Sequence, residues 1–214
     1  MYSRKLNGKV LEFGHEGVLY RRSFVMYDRG TDSLWVHTTG ECVKGEMKGS
    51  QLEFITSSIT SWGNWVAKHP KSLVLEGEGR GGFMGTYTLA KDKADDFGVS
   101  VGQGETAKLY LMKDLMKNRV VHDKFQNENV VVFFDEAGMH ATAWACDDQK
   151  FSFKGNAFVD SLGRPWDMML GRPVGDMAND EKMKPLPATA WLIKRWHGFY
   201  PNSEVWKAAK SKDL

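Results

Sequence analysis

The chain has 214 residues, enough for one large domain or two small ones with a substantial core. Hydrophobic residues make up 42% of the sequence and charged residues 26%, a composition that excludes an intrinsically disordered chain. The 29 basic and 27 acidic side chains are spread along the sequence and leave a net charge of +2, which argues against binding to nucleic acid or to an anionic membrane surface.

Membrane-targeting features are also missing from the sequence. No apolar run reaches the roughly 18 residues of a transmembrane helix, so no membrane span is expected. Residues 1–8 lack the apolar segment of a signal peptide.

The first third of the chain is predicted to form a sheet of short strands. Its apolar runs are separated by Gly, Asp or Asn and cover residues 10–13, 18–20, 24–27 and 34–37. Residues 28–32 (Asp-Arg-Gly-Thr-Asp) predict a turn in which Asp28 bonds nearby amides. Residues 57–69 predict a short helix with a Ser or Thr cap, ended by Pro70.

The remainder of the chain predicts a linker followed by more strands and two helices. Residues 76–97 form the linker, Gly-rich at first and then charged. Residues 130–134 predict a fully apolar strand, with its hairpin partner in residues 138–145. Residues 107–117 and 189–199 predict helices, the second ending before Pro201. The expected fold class is therefore mainly β with short helices.

An internal repeat relates the two halves of the chain. Pairs of Trp, Gly, Pro and other residues recur at an offset of 130–132 positions, and accidental spacing is a poor explanation because Trp is an infrequent residue. We expect the Trp side chains to pack each sheet on its helix, and Asp28 and Asp160 to bond turn amides. The paired positions are Asp28 with Asp160, Trp35 with Trp166, Gly40 with Gly171, Gly45 with Gly175, Trp65 with Trp196, Pro70 with Pro201, Ser72 with Ser203 and Val74 with Val205.

The repeat predicts two units of unequal completeness. Residues 98–214 form a complete second unit, in which residues 98–148 supply a helix and two strands ahead of the Phe153 strand. The equivalent segment of the first unit, residues 1–75, would lie before Met1. We therefore expect the first unit to lack these elements or to borrow them, so that the protein is a monomer, or a dimer if the strands are supplied in trans.

Three features of the sequence resemble chemical sites, namely a Gly-rich motif, the histidines and the cysteines. Residues 77–82 match a Gly-x-Gly-x-x-Gly pattern, but a strand follows where a dinucleotide-binding loop must open a helix. The histidines are scattered singly without metal-ligand spacing, so no metal and no cofactor are predicted. Cys42 and Cys146 are expected to be small buried hydrophobes, with a single bridge or a reactive thiol as alternatives.

A specific resemblance is carried by residues 8–20 (Gly-Lys-Val-Leu-Glu-Phe-Gly-His-Glu-Gly-Val-Leu-Tyr) and 25–35 (Val-Met-Tyr-Asp-Arg-Gly-Thr-Asp-Ser-Leu-Trp). Together with residues 39–49 and 61–70, they resemble the bacterial domain-of-unknown-function family 3179. The resemblance is strong over residues 6–75 and continues more weakly through residues 107–123 and 151–205.

The resemblance implies a reactive motif upstream of Met1. Members of the family carry a Tyr-Cys-Pro-Leu-Cys-like motif there, in which selenocysteine replaces a cysteine in some members. Two chalcogens at this spacing suit thiol redox chemistry or soft-metal binding. The resemblance also implies an export signal, which would place the full-length protein in the periplasm or outside the cell.

Three functions are consistent with the sequence. The first is a fragment of a thiol/selenol redox or soft-metal-binding domain whose motif precedes Met1, with oxidoreductase-like activity only in the full-length form. The second is a non-catalytic binding or interaction module with Trp-lined grooves. The third is a hydrolase that uses Asp28, Glu41 and nearby hydroxyl groups. His122 and Asp123 are further candidate residues, because relatives have Asn-Asp at that place.

Overall fold

The structure, a computed structural model, describes residues 1–55, 57, 60–74, 91–175 and 182–208. Three short α-helices lie at Trp62–Lys68 (α1), Met112–Lys117 (α2) and Ile193–Phe199 (α3), and 3-10 helices lie at Lys91–Asp96 and Gly104–Thr106. The strands of these residues are, in chain order, β1 Lys5–Leu6, β2 Lys9–Val10, β3 Phe13–Tyr20, β4 Ser23–Asp28, β5 Leu34–Val36, β6 Cys42–Lys44, β7 Phe97–Val101, β8 Lys108–Leu111, β9 Val120–Phe125, β10 Glu128–Asp135, β11 His140–Ala145, β12 Phe151–Lys154, β13 Ala157–Asp160, β14 Pro165–Asp167, β15 Arg172–Pro173, β16 Lys184–Leu186, β17 Ala188–Leu192 and β18 Glu204–Val205.

The described strands form four four-stranded sheets and one small hairpin, β1-β2, which confirms the mainly β fold class. The pairing is antiparallel throughout except for β18, which runs parallel to β8. The sheet orders are β3-β4-β5-β6, β12-β13-β14-β15, β17-β7-β8-β18 and β16-β11-β10-β9. No helix in the described part of the chain has the length and apolar character needed to cross a bilayer.

The sheets β3-β4-β5-β6 and β12-β13-β14-β15 are antiparallel meanders with the same strand order, and they contain the repeated pairs Asp28/Asp160 and Trp35/Trp166. In the first meander the Trp35 indole donates to Asp28 Oδ2 at 3.0 Å. In the second, the Trp166 indole donates to Asp160 Oδ2 at 3.1 Å. The proposed origin of both units by duplication, with the division at residues 75 and 98, stays a prediction.

One pair of repeated glycines is required by the backbone conformation and by a close contact with an aromatic ring. Gly40 and Gly171 both have left-handed backbone, with φ of +70° and +62°. A Cβ atom would lie 2.5 Å from the Tyr2 ring at the first position and 2.5 Å from the Trp144 ring at the second. Any other residue would be strained by conformation and by contact.

The two sheets that contain β7 to β11 are more strand-rich than predicted, since residues 98–148 contain one α-helix and five strands. The helix predicted for residues 107–117 begins only at Met112, and the one predicted for residues 189–199 begins only at Ile193. In both cases the earlier residues are a strand, β8 or β17. An apolar segment that packs on both faces has no alternation to distinguish it from a helix.

Helix α1 is shorter than predicted, and the predicted linker is described only in part. The α1 cap is Ser61, whose side chain accepts a hydrogen bond from Asn64 N, and the helix ends before His69. The Gly-rich residues 76–85 lie outside the described residues, whereas Lys91–Asp96 forms a 3-10 helix and Phe97 opens β7.

Strand β10 occupies the centre of the core. Because successive strand residues point to opposite faces, Val130, Val132 and Phe134 pack towards β7 and β8, whereas Val131 and Phe133 pack towards the second meander. The first meander joins this core through Val36 of β5, which packs with Leu109, Trp191 and Trp196. This contact leaves a cavity beside it, between the first meander and the strands β7, β11 and β17.

Candidate functional site

The cavity has a volume of about 530 Å³ and is lined mainly by apolar side chains. It is assembled from the N-terminus, the β3-β4 turn, the strands β7, β11 and β17, and helix α3. This volume lies within the range of about 300–1,000 Å³ that is usual for small-molecule sites. The apolar wall includes Phe54, Phe97, Val99, Met139, Trp191 and Phe199.

The N-terminus forms a hydrogen-bonded wall of the cavity. The Met1 ammonium donates to Ser57 Oγ at 3.2 Å, and Ile55 N donates to Met1 O at 2.9 Å. The Tyr2 hydroxyl donates to Thr38 O at 2.7 Å. Burial of the phenol raises the pKa of Tyr2 to about 12, so that it stays protonated at neutral pH.

Three arginines are among the residues that line the same cavity, Arg21, Arg22 and Arg195. Arg21 Nη1 donates to the carbonyl oxygens of Gly198 at 3.2 Å and Phe199 at 3.5 Å, at the end of α3. Among the described residues that line the cavity, none is Asp or Glu.

Arg21 and Arg22 form the two-residue turn between β3 and β4 in an unusual backbone conformation. Their φ angles are +48° and +65°, the signature of a type I′ turn, which favours Asn and Gly. The three other two-residue hairpin turns of the described chain each contain Asn or Gly, at Asn7-Gly8, Gln126-Asn127 and Gly155-Asn156. Left-handed backbone costs an ordinary residue about 1–3 kcal/mol, so the Arg pair is strained.

Two histidines line the cavity in different environments. His140 is buried; its Nε2 lies 3.0 Å from Met169 Sδ and its Nδ1 lies 3.7 Å from Asp135 Oδ2. His37 is exposed, and its ring meets the Phe24 ring edge-on at 5.9 Å. Within the described part of the chain, no group of three or more His, Cys, Asp or Glu is arranged to hold a metal ion.

Asp28, the first sequence-predicted candidate, is a structural carboxylate. Its Oδ1 accepts from Thr31 N at 2.8 Å and from Gly30 N at 3.2 Å, while its Oδ2 accepts from the Trp35 indole. Burial alone would raise the pKa of Asp28, but the hydrogen bonds from Trp35, Thr31 and Gly30 outweigh burial and hold it below its ordinary value. The carboxylate is fully buried and engaged, so it does not serve the hydrolase hypothesis.

The other candidates lie in separate surroundings. Glu41 is exposed and forms a β-bridge with Gln51. His122 Nε2 lies 3.0 Å from the Phe151 amide nitrogen and 3.2 Å from its carbonyl oxygen, and burial lowers the pKa of His122. Asp123 points to the opposite face of β9, towards Lys108.

Asp123 belongs to a charge cluster that links two sheets, since Asp123 is on β9 and its partners are on β8 and β18. Lys108 Nζ lies 2.6 Å from Asp123 Oδ2 and 2.8 Å from Glu204 Oε1, and the Tyr110 hydroxyl donates to Asp123 Oδ2 at 2.8 Å. Burial works to lower the pKa of Lys108, but the hydrogen bonds that its ammonium donates to Asp123 and Glu204 prevail and raise it. The arrangement neutralises a buried ammonium, and none of its members lines the cavity.

The two cysteines are free thiols with buried side chains, as expected for small hydrophobes. Cys42 Sγ donates to Lys44 O at 3.4 Å, and Cys146 Sγ lies 3.9 Å from Asp147 O. Burial raises the pKa of both thiols. Neither one therefore has the character of a reactive thiolate.

The Trp residues of the repeat make equivalent hydrogen bonds but differ in burial. The Trp65 indole donates to Ser72 Oγ at 2.8 Å, and the Trp196 indole donates to Ser203 Oγ at 2.7 Å. Trp196 is covered by β8 and β17, whereas Trp65 is 39% exposed. Trp196 therefore packs between sheet and helix as expected, whereas Trp65 is only partly buried.

The sequence interpretation did not identify the cavity, because its walls come from residues far apart in the chain. The one local signal was the Arg21-Arg22 pair, which stands between two predicted strands where a tight turn favours Asn or Gly. None of the predicted site residues lines the cavity, whereas Trp191, which is not one of the repeated Trp residues, does.

Comparison with known proteins gives a family but no activity. No curated protein and no solved structure has significant similarity to the chain. Residues 1–90 match the model of the family described as "Protein of unknown function (DUF3179)". The weaker resemblance beyond residue 90 stays a prediction. Over residues 1–90, the resemblance seen in the sequence is confirmed by this match to the family model.

Proposed function

We propose that the chain is a binding module that holds a small apolar molecule in the cavity between the first meander and helix α3. The observation that supports this function is a cavity of about 530 Å³ whose wall carries Trp191, Phe199 and other apolar side chains. Burial of a ligand's apolar surface against such a wall supplies about 25 cal/mol per Å² before the cost of association. The cavity corresponds to the Trp-lined groove of the binding hypothesis.

The structure of the wall favours a preformed site. Trp191 meets Trp196 edge-on at 5.4 Å and Phe199 at 5.7 Å, so its ring is held by its neighbours. The opposite wall is fixed by the hydrogen bond from Tyr2 to Thr38. A rigid wall reduces the entropy lost on binding.

The test is titration with phenylnaphthylamine, a neutral apolar fluorophore. We expect saturable binding of one molecule per chain, with energy transfer from Trp191. The variant Ala190→Phe, which fills the cavity, should reduce the affinity at least about tenfold. Ala67→Phe is the control, because Ala67 is exposed on α1 and does not line the cavity. Equal binding by wild type and Ala190→Phe would exclude the cavity as the site.

The second candidate function is thiol or selenol redox chemistry, or soft-metal binding, by residues upstream of Met1. Any residues ahead of Met1 would join the chain at this cavity, because Met1 is one of its lining residues. The exposed face of α1 also favours added strands, because the equivalent Trp196 is covered by β8 and β17. Cys42 and Cys146 are buried and do not supply such chemistry.

The upstream genomic sequence provides the test of this second candidate. We expect an in-frame continuation with a Cys pair or a Cys-selenocysteine pair. The extended protein should then be alkylated at mildly acidic pH if it carries a selenolate, since a thiol is protonated there. A ribosome-binding site at Met1 without an in-frame continuation would contradict the hypothesis.

A further inference from the structure

We propose that the cavity selects organic anions, namely molecules with an apolar body and one carboxylate or sulfonate group, through Arg21, Arg22 and Arg195. This inference rests on the proposed binding function and adds the ligand's charge to it. The apolar body would lie against Trp191 and Phe199, and the anionic group would meet the guanidinium groups.

The charge of the cavity wall is one-sided. Arg21, Arg22, Arg195 and the Met1 ammonium all line it, and no carboxylate does so among the described lining residues. Neither Arg22 nor Arg195 makes an ion pair within the described part of the chain. A concave wall with one sign of charge and an apolar lining concentrates the field and attracts a ligand of opposite charge.

The backbone of the β3-β4 turn gives independent support. Both Arg21 and Arg22 have left-handed φ angles, and the corresponding turn of the second meander is Gly155-Asn156, which suits that conformation. Strain of this kind persists where the side chains have a function that the favoured residues lack.

The two arginines of the turn have different roles. Arg21 is bonded to the last carbonyl groups of α3 and lies over the Phe199 ring at 5.8 Å, so it also fastens the turn to the helix. Arg22 has no such contact with the described residues, and anion recognition is the role that we assign to it. A substitution of Arg22 therefore tests anion binding without removing a contact that fastens the turn to α3.

The experiment compares two fluorophores with the same aromatic skeleton, anilinonaphthalene sulfonate and the neutral phenylnaphthylamine. We expect wild type to bind the sulfonate more tightly. Arg22→Gly should weaken sulfonate binding about fivefold or more while raising the urea midpoint of unfolding, because Gly relieves the left-handed strain. Arg195→Gln should weaken sulfonate binding similarly without raising the midpoint. Binding of phenylnaphthylamine should change less than about twofold in both variants.

The control is Arg4→Gln, which removes an exposed charge that does not line the cavity and should leave sulfonate binding unchanged. If phenylnaphthylamine binds in the cavity but the sulfonate binds no more tightly, or is insensitive to Arg22 and Arg195, the anion inference is overturned and the binding function stands. If Ala190→Phe has no effect on either fluorophore, the binding function itself is overturned. If Arg4→Gln weakens sulfonate binding as much as the cavity variants do, the attraction is non-specific, and the inference is also overturned.

Discussion

Trp65 and Trp196 each donate an indole hydrogen bond to a serine hydroxyl seven residues later, yet Trp65 is 39% exposed and Trp196 is fully buried. Both residues lie in seven-residue helices that end with nearly the same cap conformation, φ −129° with ψ 64° at His69 and 70° at Tyr200. The local sequence therefore produces the same helix and hydrogen bond twice. The difference in burial comes from β8 and β17, which cover only the second helix.

This difference predicts unequal effects of the same substitution. Trp196→Phe should lower the free energy of unfolding by about 2–3 kcal/mol, because it leaves a cavity and removes a buried hydrogen bond. Trp65→Phe should lower it by no more than about 1 kcal/mol. Urea unfolding followed by circular dichroism measures both.

Substitution of the serine partners measures the contribution of the hydrogen bond to stability apart from that of burial. Ser72→Ala and Ser203→Ala remove the acceptor of each indole while leaving its ring in place. We expect the two serine variants to lose similar small amounts of unfolding free energy, and the two tryptophan variants to lose unequal amounts. This result would show that packing causes the difference between Trp65 and Trp196. Equal losses for the two tryptophan variants would contradict it.

The buried carboxylates of the two meanders predict a loss of stability in acid. Hydrogen bonds from Trp166 and Arg164 to Asp160 outweigh its burial, so the pKa of Asp160, like that of Asp28, lies below its ordinary value. A carboxyl whose pKa is lowered by folding stabilises the protein above the unfolded-state value of about 3.9, and this stability is lost as the pH falls through the folded-state value. Asp28→Asn should cost about 1.5–3 kcal/mol at pH 7 and progressively less below about pH 4.

Asp32→Asn is the matched control for that variant. Asp32 lies in the same turn but is exposed, and Asn tolerates its φ of +53°. The free energy of unfolding should stay within about 0.5 kcal/mol of wild type. A pH-independent difference between wild type and Asp28→Asn would show that the charge of Asp28 has no part in stability.

Local features of the fold could be predicted from the sequence, and boundaries between elements could not. The turn at Asp28, the β10-β11 hairpin and the Ser-capped α1 follow from turn residues, apolar runs and capping residues that act over a few positions. The starts of α2 and α3 were misplaced, because β8 and β17 are covered on both faces by distant strands. Such burial depends on tertiary contacts that local periodicity does not record.

The site was less predictable than the fold for the same reason. Asp28 and Asp123 were reasonable candidates by residue type, but their partners, Trp35 and Lys108, make them structural. Arg21 and Trp191 both line the cavity, although they are 170 positions apart in the sequence. No spacing rule covers that distance, and the strain at Arg21-Arg22 becomes visible only with the backbone angles.

The buried cysteines predict slow thiol chemistry. Burial raises the pKa of Cys42 and Cys146, which keeps both thiols protonated and out of contact with reagent. An aromatic disulfide reagent at pH 8 should react with the native protein at least about tenfold more slowly than with the unfolded chain, which presents both thiols. Fast native reaction at either cysteine would contradict the assignment as packed hydrophobes. Cys42→Ala and Cys146→Ala would then identify the reactive one.

The charge cluster around Lys108 predicts that Asp123 acts in stability rather than catalysis. Asp123→Asn should lower the free energy of unfolding by about 2–4 kcal/mol, because it leaves the buried ammonium with Glu204, whose side chain is mostly exposed, and leaves one acceptor oxygen for both Lys108 and Tyr110. Glu204→Gln is the control and should cost under about 1 kcal/mol. The double variant Lys108→Met/Asp123→Leu should recover most of the loss, since paired removal leaves no buried charge. Urea unfolding of wild type and these three variants measures the losses, and a double variant no more stable than Asp123→Asn would contradict a paired, structural role.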